Sequence, residues 1–92
     1  LAKIFTNKEI KYCNSYSKPY IHLSGKYAAK EAIKKALLSK SLIERISLKK
    51  IEILNKEDKS PYVLIHGIDD FKCMISISHD EEYAIAFALI EK

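Results

Sequence analysis

The residues whose types and spacing favour chemistry form a carboxylate–lysine cluster on one predicted helix. Glu31 lies at helical spacing from Lys34 and Lys35, and Lys30 precedes it. Carboxylates hold hard cations and lysines bind phosphate oxygens, so the cluster suits a diphosphate substrate bound with Mg²⁺. The same spacing is typical of a solvated surface ion-pair cluster, and spacing alone favours that simpler interpretation.

A second polar group ends the third predicted strand. Ser76, Ser78 and His79 are followed by Asp80, and functional groups are common where a strand passes into a loop. A Ser/His pair suggests a nucleophile, but the chain has no Gly-x-Ser-x-Gly elbow around it. A surface histidine that opens a turn is the simpler alternative. The other two histidines, at positions 22 and 66, have no partner at a related spacing and are interpreted as incidental.

The helices that must position these residues are predicted from caps and periodicity. Thr6 and Glu9 fit a capping box for a helix that ends near residue 13, and Pro19 opens a further helical turn through residue 23. Ser24 is the predicted N-cap of a central helix over residues 25–38. Its apolar face repeats at the spacing of one buried stripe, formed by Ala29, Ala32, Ile33, Ala36 and Leu37.

Four strands are predicted after the helices, over residues 51–53, 62–66, 71–78 and 83–90. The last strand alternates large residues with alanines, and a face of alanines lets a helix approach closely. Short turns between strands favour antiparallel pairing. The predicted fold class is therefore α+β, with an antiparallel meander packed against a long central helix.

Composition predicts one globular domain spanning residues 1–92. The 92 residues are 48% hydrophobic, which is enough for a small core. No apolar run approaches the ~20 residues of a membrane span, and no basic-then-apolar leader opens the sequence, so we expect no membrane insertion. Cys13 and Cys73 are far apart and lack metal-like spacing, which predicts free thiols in a reducing compartment.

Charge is distributed unevenly along the chain. Residues 1–50 carry 12 Lys or Arg against 3 Glu, and residues 51–92 carry 4 Lys against 9 Asp or Glu. A basic front half suits an acidic partner: nucleic acid, an anionic protein or a phosphorylated small molecule. An AT-rich coding bias towards lysine is the alternative. The chain has no P-loop or Gly-x-Gly-x-x-Gly motif, so lysines must do any phosphate binding.

Nearly the whole chain resembles holo-acyl-carrier-protein synthase, the small 4′-phosphopantetheinyl transferase family. Beyond a likeness over residues 4–13, the resemblance is carried, in order, by KYAAKEA (26–32) with Lys35, IEI (51–53), SPY (60–62), ISISH (75–79) and EYAIA (82–86). Members are compact α+β proteins that act as homotrimers with active sites at subunit interfaces. They transfer the 4′-phosphopantetheine of coenzyme A to a serine of apo acyl carrier protein, an acidic protein. The reaction is Mg²⁺-dependent, releases adenosine 3′,5′-bisphosphate and supports fatty acid biosynthesis.

The resemblance implies a role for each matching residue. Glu31 would be the magnesium ligand and, with Lys35, catalytic, while coenzyme A would be bound by Lys30, Lys35, Pro61 and His79. The family's N-terminal strand, whose aspartate is the second metal ligand, has no counterpart in these residues. The glycines that usually follow the central helix are replaced at residues 38–40, and Asp80 replaces the usual threonine. The implied location is the bacterial cytoplasm or a plastid.

Two other functions fit parts of the sequence. A basic helix on an antiparallel sheet also suits a small nucleic-acid-binding module, although the third and fourth strands are too apolar and are expected to lack exposed aromatic residues for base stacking. The missing second aspartate suits a non-catalytic trimerisation remnant of the transferase family. On the leading interpretation the partners are coenzyme A and acyl carrier protein, with no nucleic acid.

Overall fold

The computed structural model describes residues 2–40, 43, 45–68 and 71–91. The first helix, α1, spans Asn7–Asn14 and begins with the predicted capping box. The Thr6 hydroxyl accepts the Glu9 amide, and the Glu9 carboxylate accepts the Thr6 amide at 2.8 Å. Two amides at the helix start are thereby satisfied, which confirms the prediction.

The second helix, α2, is continuous over Pro19–Ser39, so the predicted break before Gly25 was wrong. Pro19 supplies the first turn, where its missing N–H costs nothing. Gly25 lies inside the helix because a strand approaches it closely. A Cβ at this position would lie 2.7 Å from Cδ2 of His79 and 3.1 Å from Cγ2 of Ile77. The glycine marks a close contact between helix and strand and does not mark a helix start.

Four strands follow a 3₁₀ turn at Leu48–Lys50. They are β1 (Ile51–Asn55), β2 (Pro61–Ile65), β3 (Lys72–His79) and β4 (Ala84–Glu91). The α+β class and the antiparallel pairing are confirmed. Within the described residues, the backbone ladders of this antiparallel arrangement form two hairpins, β1–β2 and β3–β4.

The core lies between α2 and the two hairpins. The predicted apolar stripe of α2 faces it, with Ala29, Ile33 and Leu37 fully buried against Ile51 and Ile53. The alanines of β4 also pack against this core, as predicted. Their small side chains let α2 lie close to β4, and this contact fixes the height of the helix above the sheet.

The opposite face of the β3–β4 hairpin is apolar and exposed. Its large side chains alternate with the inward alanines, and Phe87 is 73% exposed, so the expectation that the fourth strand lacks an exposed aromatic residue was wrong. The other exposed apolar residues on this face are Met74, Ile85 and Leu89. Together with Phe87 they form what we call the apolar sheet face. A patch of this kind marks an interaction surface more often than a solvated one.

Two further predictions bear on cysteines and membranes. Cys13 and Cys73 are both free thiols, as predicted. Burial raises the pKa of both, so neither has the lowered pKa of a reactive thiol.

None of the helices in the described ranges combines the length and the apolar character that a membrane span requires.

Candidate active site

The structure places Glu31 and Lys35 together in a groove beside α2. This groove has a volume of about 750 Å³, and we call it the carboxylate groove. It is lined by Phe5, by residues of α2, and by two alanines of β4; the α2 residues are Leu23, Ser24, Tyr27, Ala28, Glu31, Ala32 and Lys35. Both charged side chains of the groove are therefore residues that the sequence assigned to the site.

Glu31 is half-buried in the carboxylate groove. The surface-cluster alternative required it to pair with Lys34 or Lys35. The ion pairs between described residues lie elsewhere, at Lys18–Glu81, Lys30–Glu9 and His66–Glu52. The Glu31 carboxylate is therefore available to a ligand, which favours a binding role over a surface ion pair.

Lys30, which the sequence grouped with Glu31 as a ligand-binding lysine, does not line this groove. Its side chain is fully buried, with Nζ 2.8 Å from Oε1 of Glu9. The same ammonium donates to the carbonyl oxygens of Ile4 and Leu48, both at 2.9 Å. Because an ammonium has three donors, all of them are used inside the protein. Lys30 is a structural residue here and has no donor left for coenzyme A.

A metal at Glu31 must take most of its ligands from elsewhere. Among the described residues, no three His, Cys, Asp or Glu side chains cluster as a metal cage. Mg²⁺ tolerates this, because it is usually bound by one or two carboxylates together with substrate phosphates and water. The available carboxylate of Glu31 beside Lys35 thus fits a magnesium–diphosphate group and does not fit a closed structural metal site.

The other two predicted site residues, Pro61 and His79, come together in a second groove of about 400 Å³. We call it the histidine groove. Its walls come from the end of α1, the start of α2, the β1–β2 turn and β3, with Tyr12, Tyr16, His22, Lys26, Asn55, Lys59, Pro61, Ile75, Ser76, Ile77 and His79 as lining residues.

Aromatic rings form one wall of the histidine groove. The Tyr16 and His22 rings stack with centroids 3.7 Å apart, and the His22 and His79 rings meet edge to face at 4.9 Å. Tyr12 continues this wall, since its hydroxyl lies 2.7 Å from that of Tyr16. Burial, together with that hydrogen bond, raises the pKa of Tyr12 to about 12, so the Tyr12 hydroxyl keeps its proton at neutral pH.

The electrostatics of the histidine groove favour an anion. Its ionisable lining residues are lysines, histidines and tyrosines, with no carboxylate among the lining side chains that the structure describes. Burial lowers the pKa of His22, and neighbouring His79, Lys26 and Lys59 lower it further. A ligand phosphate would relieve this mutual repulsion of positive charges, whereas a cation would increase it.

The two grooves lie on different sides of α2. At 3.6 residues per turn, Glu31 and Lys35 are roughly 140° and 180° around the helix axis from Lys26. No described residue lines both grooves. Within one chain the predicted site is therefore split into two halves, with Glu31 and Lys35 in one and Pro61 and His79 in the other.

Three contributors to the histidine groove were missed by sequence reasoning. His22 was interpreted as incidental, yet it contacts both Tyr16 and His79. Lys26 and Lys59 also line the groove. His22 and Lys26 lie one turn apart on α2, whereas Lys59 comes from the β1–β2 turn, so no local spacing links all three. Lys26 belongs to the KYAAKEA motif that carries the family resemblance, and this was the one sequence feature that could have assigned it to the site.

With this geometry in place, comparison with known proteins is informative. The family model of the 4′-phosphopantetheinyl transferase superfamily matches residues 1–88. A curated protein of Thermodesulfovibrio yellowstonii, named holo-[acyl-carrier-protein] synthase, is 44% identical over 90 residues, which are 98% of this chain and 76% of that protein.

Two solved structures, both named as complexes with coenzyme A, show the same fold. The ACPS–CoA complex of Chronobacterium ammoniagenes matches with a TM-score of 0.84 and 28% identity, over 97% of this chain and 78% of that one. Holo-[acyl-carrier-protein] synthase of Helicobacter pylori in complex with coenzyme A matches with a TM-score of 0.76 and 26% identity, over 99% and 80%.

The chain therefore belongs to the 4′-phosphopantetheinyl transferase superfamily, which makes it a member of a class of group-transfer enzymes. Within that class its curated and solved relatives carry the name holo-[acyl-carrier-protein] synthase. The resemblance stated from the sequence is confirmed.

Proposed function

We propose that this protein transfers the 4′-phosphopantetheine group of coenzyme A to a serine of apo acyl carrier protein, with Mg²⁺, in support of fatty acid biosynthesis. The observation that carries the proposal is the carboxylate groove, where Glu31 and Lys35 lie together and where none of the ion pairs between described residues includes Glu31. Relatives named for this activity, and solved relatives in complex with coenzyme A, support it.

The two charged residues of the carboxylate groove, Glu31 and Lys35, each have a defined role in this reaction. The serine oxygen attacks the β-phosphorus of coenzyme A, the hydroxyl proton passes to Glu31 or to water, and the bond to the adenosine 3′,5′-bisphosphate leaving group breaks. Negative charge grows on the leaving group, and the Lys35 ammonium stabilises it. Glu31 would hold Mg²⁺, which when bound neutralises the diphosphate.

The histidine groove is proposed to bind the nucleotide part of coenzyme A. Pro61 and His79 line it together with two lysines, and its lining side chains offer positive charge and flat rings. The positive charge would bind phosphates, and the flat rings would pack against a purine base. This assignment agrees with the roles that the family resemblance implies for Pro61 and His79.

The split site is completed by a second copy of the chain. The carboxylate and histidine grooves lie on different sides of α2. One extended ligand can contact both where the carboxylate groove of one copy lies next to the histidine groove of another copy. The apolar sheet face supplies a surface for such a contact, with Phe87 at 73% exposure and Met74 at 67%. Obligate interfaces are apolar in this way. We therefore propose a homotrimer with shared sites.

The carrier protein is proposed to dock on the basic front half of the chain. An acidic carrier would be drawn to the exposed lysines of residues 1–18 by charge complementarity. The two free thiols and the bacterial relatives suit the bacterial cytoplasm, with a plastid as the alternative.

One assay tests the proposed function. The full-length protein is incubated with coenzyme A, apo acyl carrier protein and Mg²⁺, and the carrier is then weighed by mass spectrometry. We expect the carrier to gain the mass of one phosphopantetheine, and a chelator to abolish the gain. An unchanged carrier mass with Mg²⁺ present would refute the transferase activity, and transfer that survives the chelator would refute the role of the metal.

A further inference from the structure

Lys59 has an unusual backbone conformation. Among the described non-glycine residues it alone has a positive φ, of 72°. This left-handed region crowds the Cβ of an L-residue, and glycine occupies it without that penalty. A lysine at this position therefore lowers the stability of the fold. Such strain is found where the side chain has a function.

The β1–β2 turn holds Lys59 firmly in this conformation. Its amide donates to the Lys56 carbonyl at 2.8 Å, and its carbonyl accepts from Nδ2 of Asn55 at 2.9 Å. Asn55 is itself tied to α2, because Oδ1 of Asn55 accepts from Nζ of Lys26 at 2.7 Å. The contact between Asn55 and α2 thus fixes the direction in which the Lys59 side chain points.

That direction brings the side chain to the histidine groove. Nζ of Lys59 lies 5.7 Å from the centroid of the Tyr16 ring, and Lys59 lines the groove with His79 and Ser76. The ion pairs that the structure describes do not include Lys59. Its charge is near enough to contribute to the lowered pKa of His22. The ammonium therefore lies beside the Tyr16 ring, and the described lining of the groove offers it no carboxylate.

We propose that Lys59 is a substrate-binding residue whose ammonium binds a phosphate of the coenzyme in the histidine groove. The inference rests on the proposed function, which makes coenzyme A the ligand. Coenzyme A offers two phosphate sources, its diphosphate and its 3′-phosphate, and the ammonium recognises the same chemistry in both. The energetic penalty of the backbone conformation is offset by this contact when the ligand is bound.

The variant Lys59→Gly separates this role from a structural one, because the thermal stability should increase while the affinity for coenzyme A decreases. Glycine relieves the positive φ, so we expect Tm without ligand to rise by about 4 °C. It also removes the ammonium, so we expect the Kd for coenzyme A to rise roughly tenfold, as for the loss of one charge-assisted contact. Lys59→Arg keeps the charge and should bind within about threefold of wild type.

The matched control is Lys56→Gly. Lys56 lies in the same turn and carries the same charge, but it does not line the histidine groove. We expect its Kd for coenzyme A to stay within about twofold of wild type, since an exposed distant charge is screened. Both variants are titrated calorimetrically as the full-length protein, in parallel with dephospho-coenzyme A, which lacks the 3′-phosphate.

The outcomes are distinct. A loss of affinity for coenzyme A alone assigns Lys59 to the 3′-phosphate, and an equal loss for both ligands assigns it to the diphosphate. Equal affinity of Lys59→Gly and wild type for both ligands would overturn the inference while leaving the transferase intact. A wild-type protein that bound no coenzyme A would overturn the proposed function, and the inference with it.

Discussion

Replacing Lys30 by methionine should destabilise the protein severely. The Lys30 side chain has no exposed surface, and its ammonium serves Glu9 and two backbone carbonyl oxygens. Methionine fills similar space, so the packing loss is small, but the Glu9 carboxylate would remain buried without its counter-ion. Breaking a buried pair in this way typically costs about 3–5 kcal/mol.

The local geometry sets where in that range the loss should fall. Glu9 would keep two hydrogen bonds of 2.8 Å, from the amides of Thr6 and Ile53, which partly offset the unpaired charge. The two carbonyl oxygens freed by the substitution add about 1 kcal/mol each. We therefore expect a loss of about 4 kcal/mol, a large share of the roughly 5–15 kcal/mol of a typical domain.

The assay is urea unfolding followed by circular dichroism, at one fixed protein concentration because an oligomer's stability depends on it. Lys35→Met is the matched control, since the same change at an exposed position of α2 should alter the free energy of unfolding by less than about 0.5 kcal/mol. The double variant Glu9→Gln with Lys30→Met should recover at least half of the loss. A loss below about 1 kcal/mol for Lys30→Met would refute this structural role.

Three further predictions concern other parts of the fold. Gly25→Ala should lower the free energy of unfolding by about 1–3 kcal/mol and weaken coenzyme A binding, because the added Cβ would lie 2.7 Å from His79. Thermal unfolding and ligand titration measure these two effects. An unchanged affinity for coenzyme A would contradict the role of His79. Burial and nearby positive charges lower the pKa of His22 from its ordinary 6.5, so the unfolded chain takes up the proton first and stability should fall as pH drops below about 6.5. His22→Phe should flatten that pH dependence in urea titrations, and an equally steep decline in the variant would assign it to another group. Phe87→Glu should convert an oligomer to monomers in light scattering, since Phe87 is 73% exposed on the apolar sheet face; an unchanged mass would show that this face is not the interface.

Local patterns predicted most of the secondary structure because the forces behind them are local. The capping box at Thr6 and Glu9 involves residues three apart, and the alternation along β3 and β4 reflects a side-chain period of two. The apolar stripe of α2 follows from the helical repeat in the same way. Each of these features can be read without knowing what the segment packs against.

The errors arose where distant parts of the chain meet. The burial of Lys30 could not be predicted from its own helix, because its partner Glu9 lies 21 residues earlier, on another helix. Gly25 appeared to begin a helix because its contact with His79 comes from β3. Short turns predicted the antiparallel pairing, yet they do not determine which hairpins share a ladder.

The candidate site was predicted in the same uneven way. Glu31 and Lys35 share one helix and one groove, so their helical spacing was informative. Pro61 and His79 were joined only by the family resemblance, and the structure places both at the histidine groove. Their distance from Glu31 within one chain could not be anticipated, because it depends on which side of α2 each strand packs against.

The central proposal is that the Glu31 carboxylate holds the Mg²⁺ of the transfer reaction. One measurement tests this role most directly. The rate of phosphopantetheine transfer to apo acyl carrier protein is followed by mass spectrometry for wild type and Glu31→Gln, with Glu57→Gln as an exposed control carboxylate. We predict that Glu31→Gln slows transfer at least about a hundredfold while Tm stays unchanged, because the amide loses the charge that a metal requires. Transfer by Glu31→Gln within about threefold of wild type would contradict the claim.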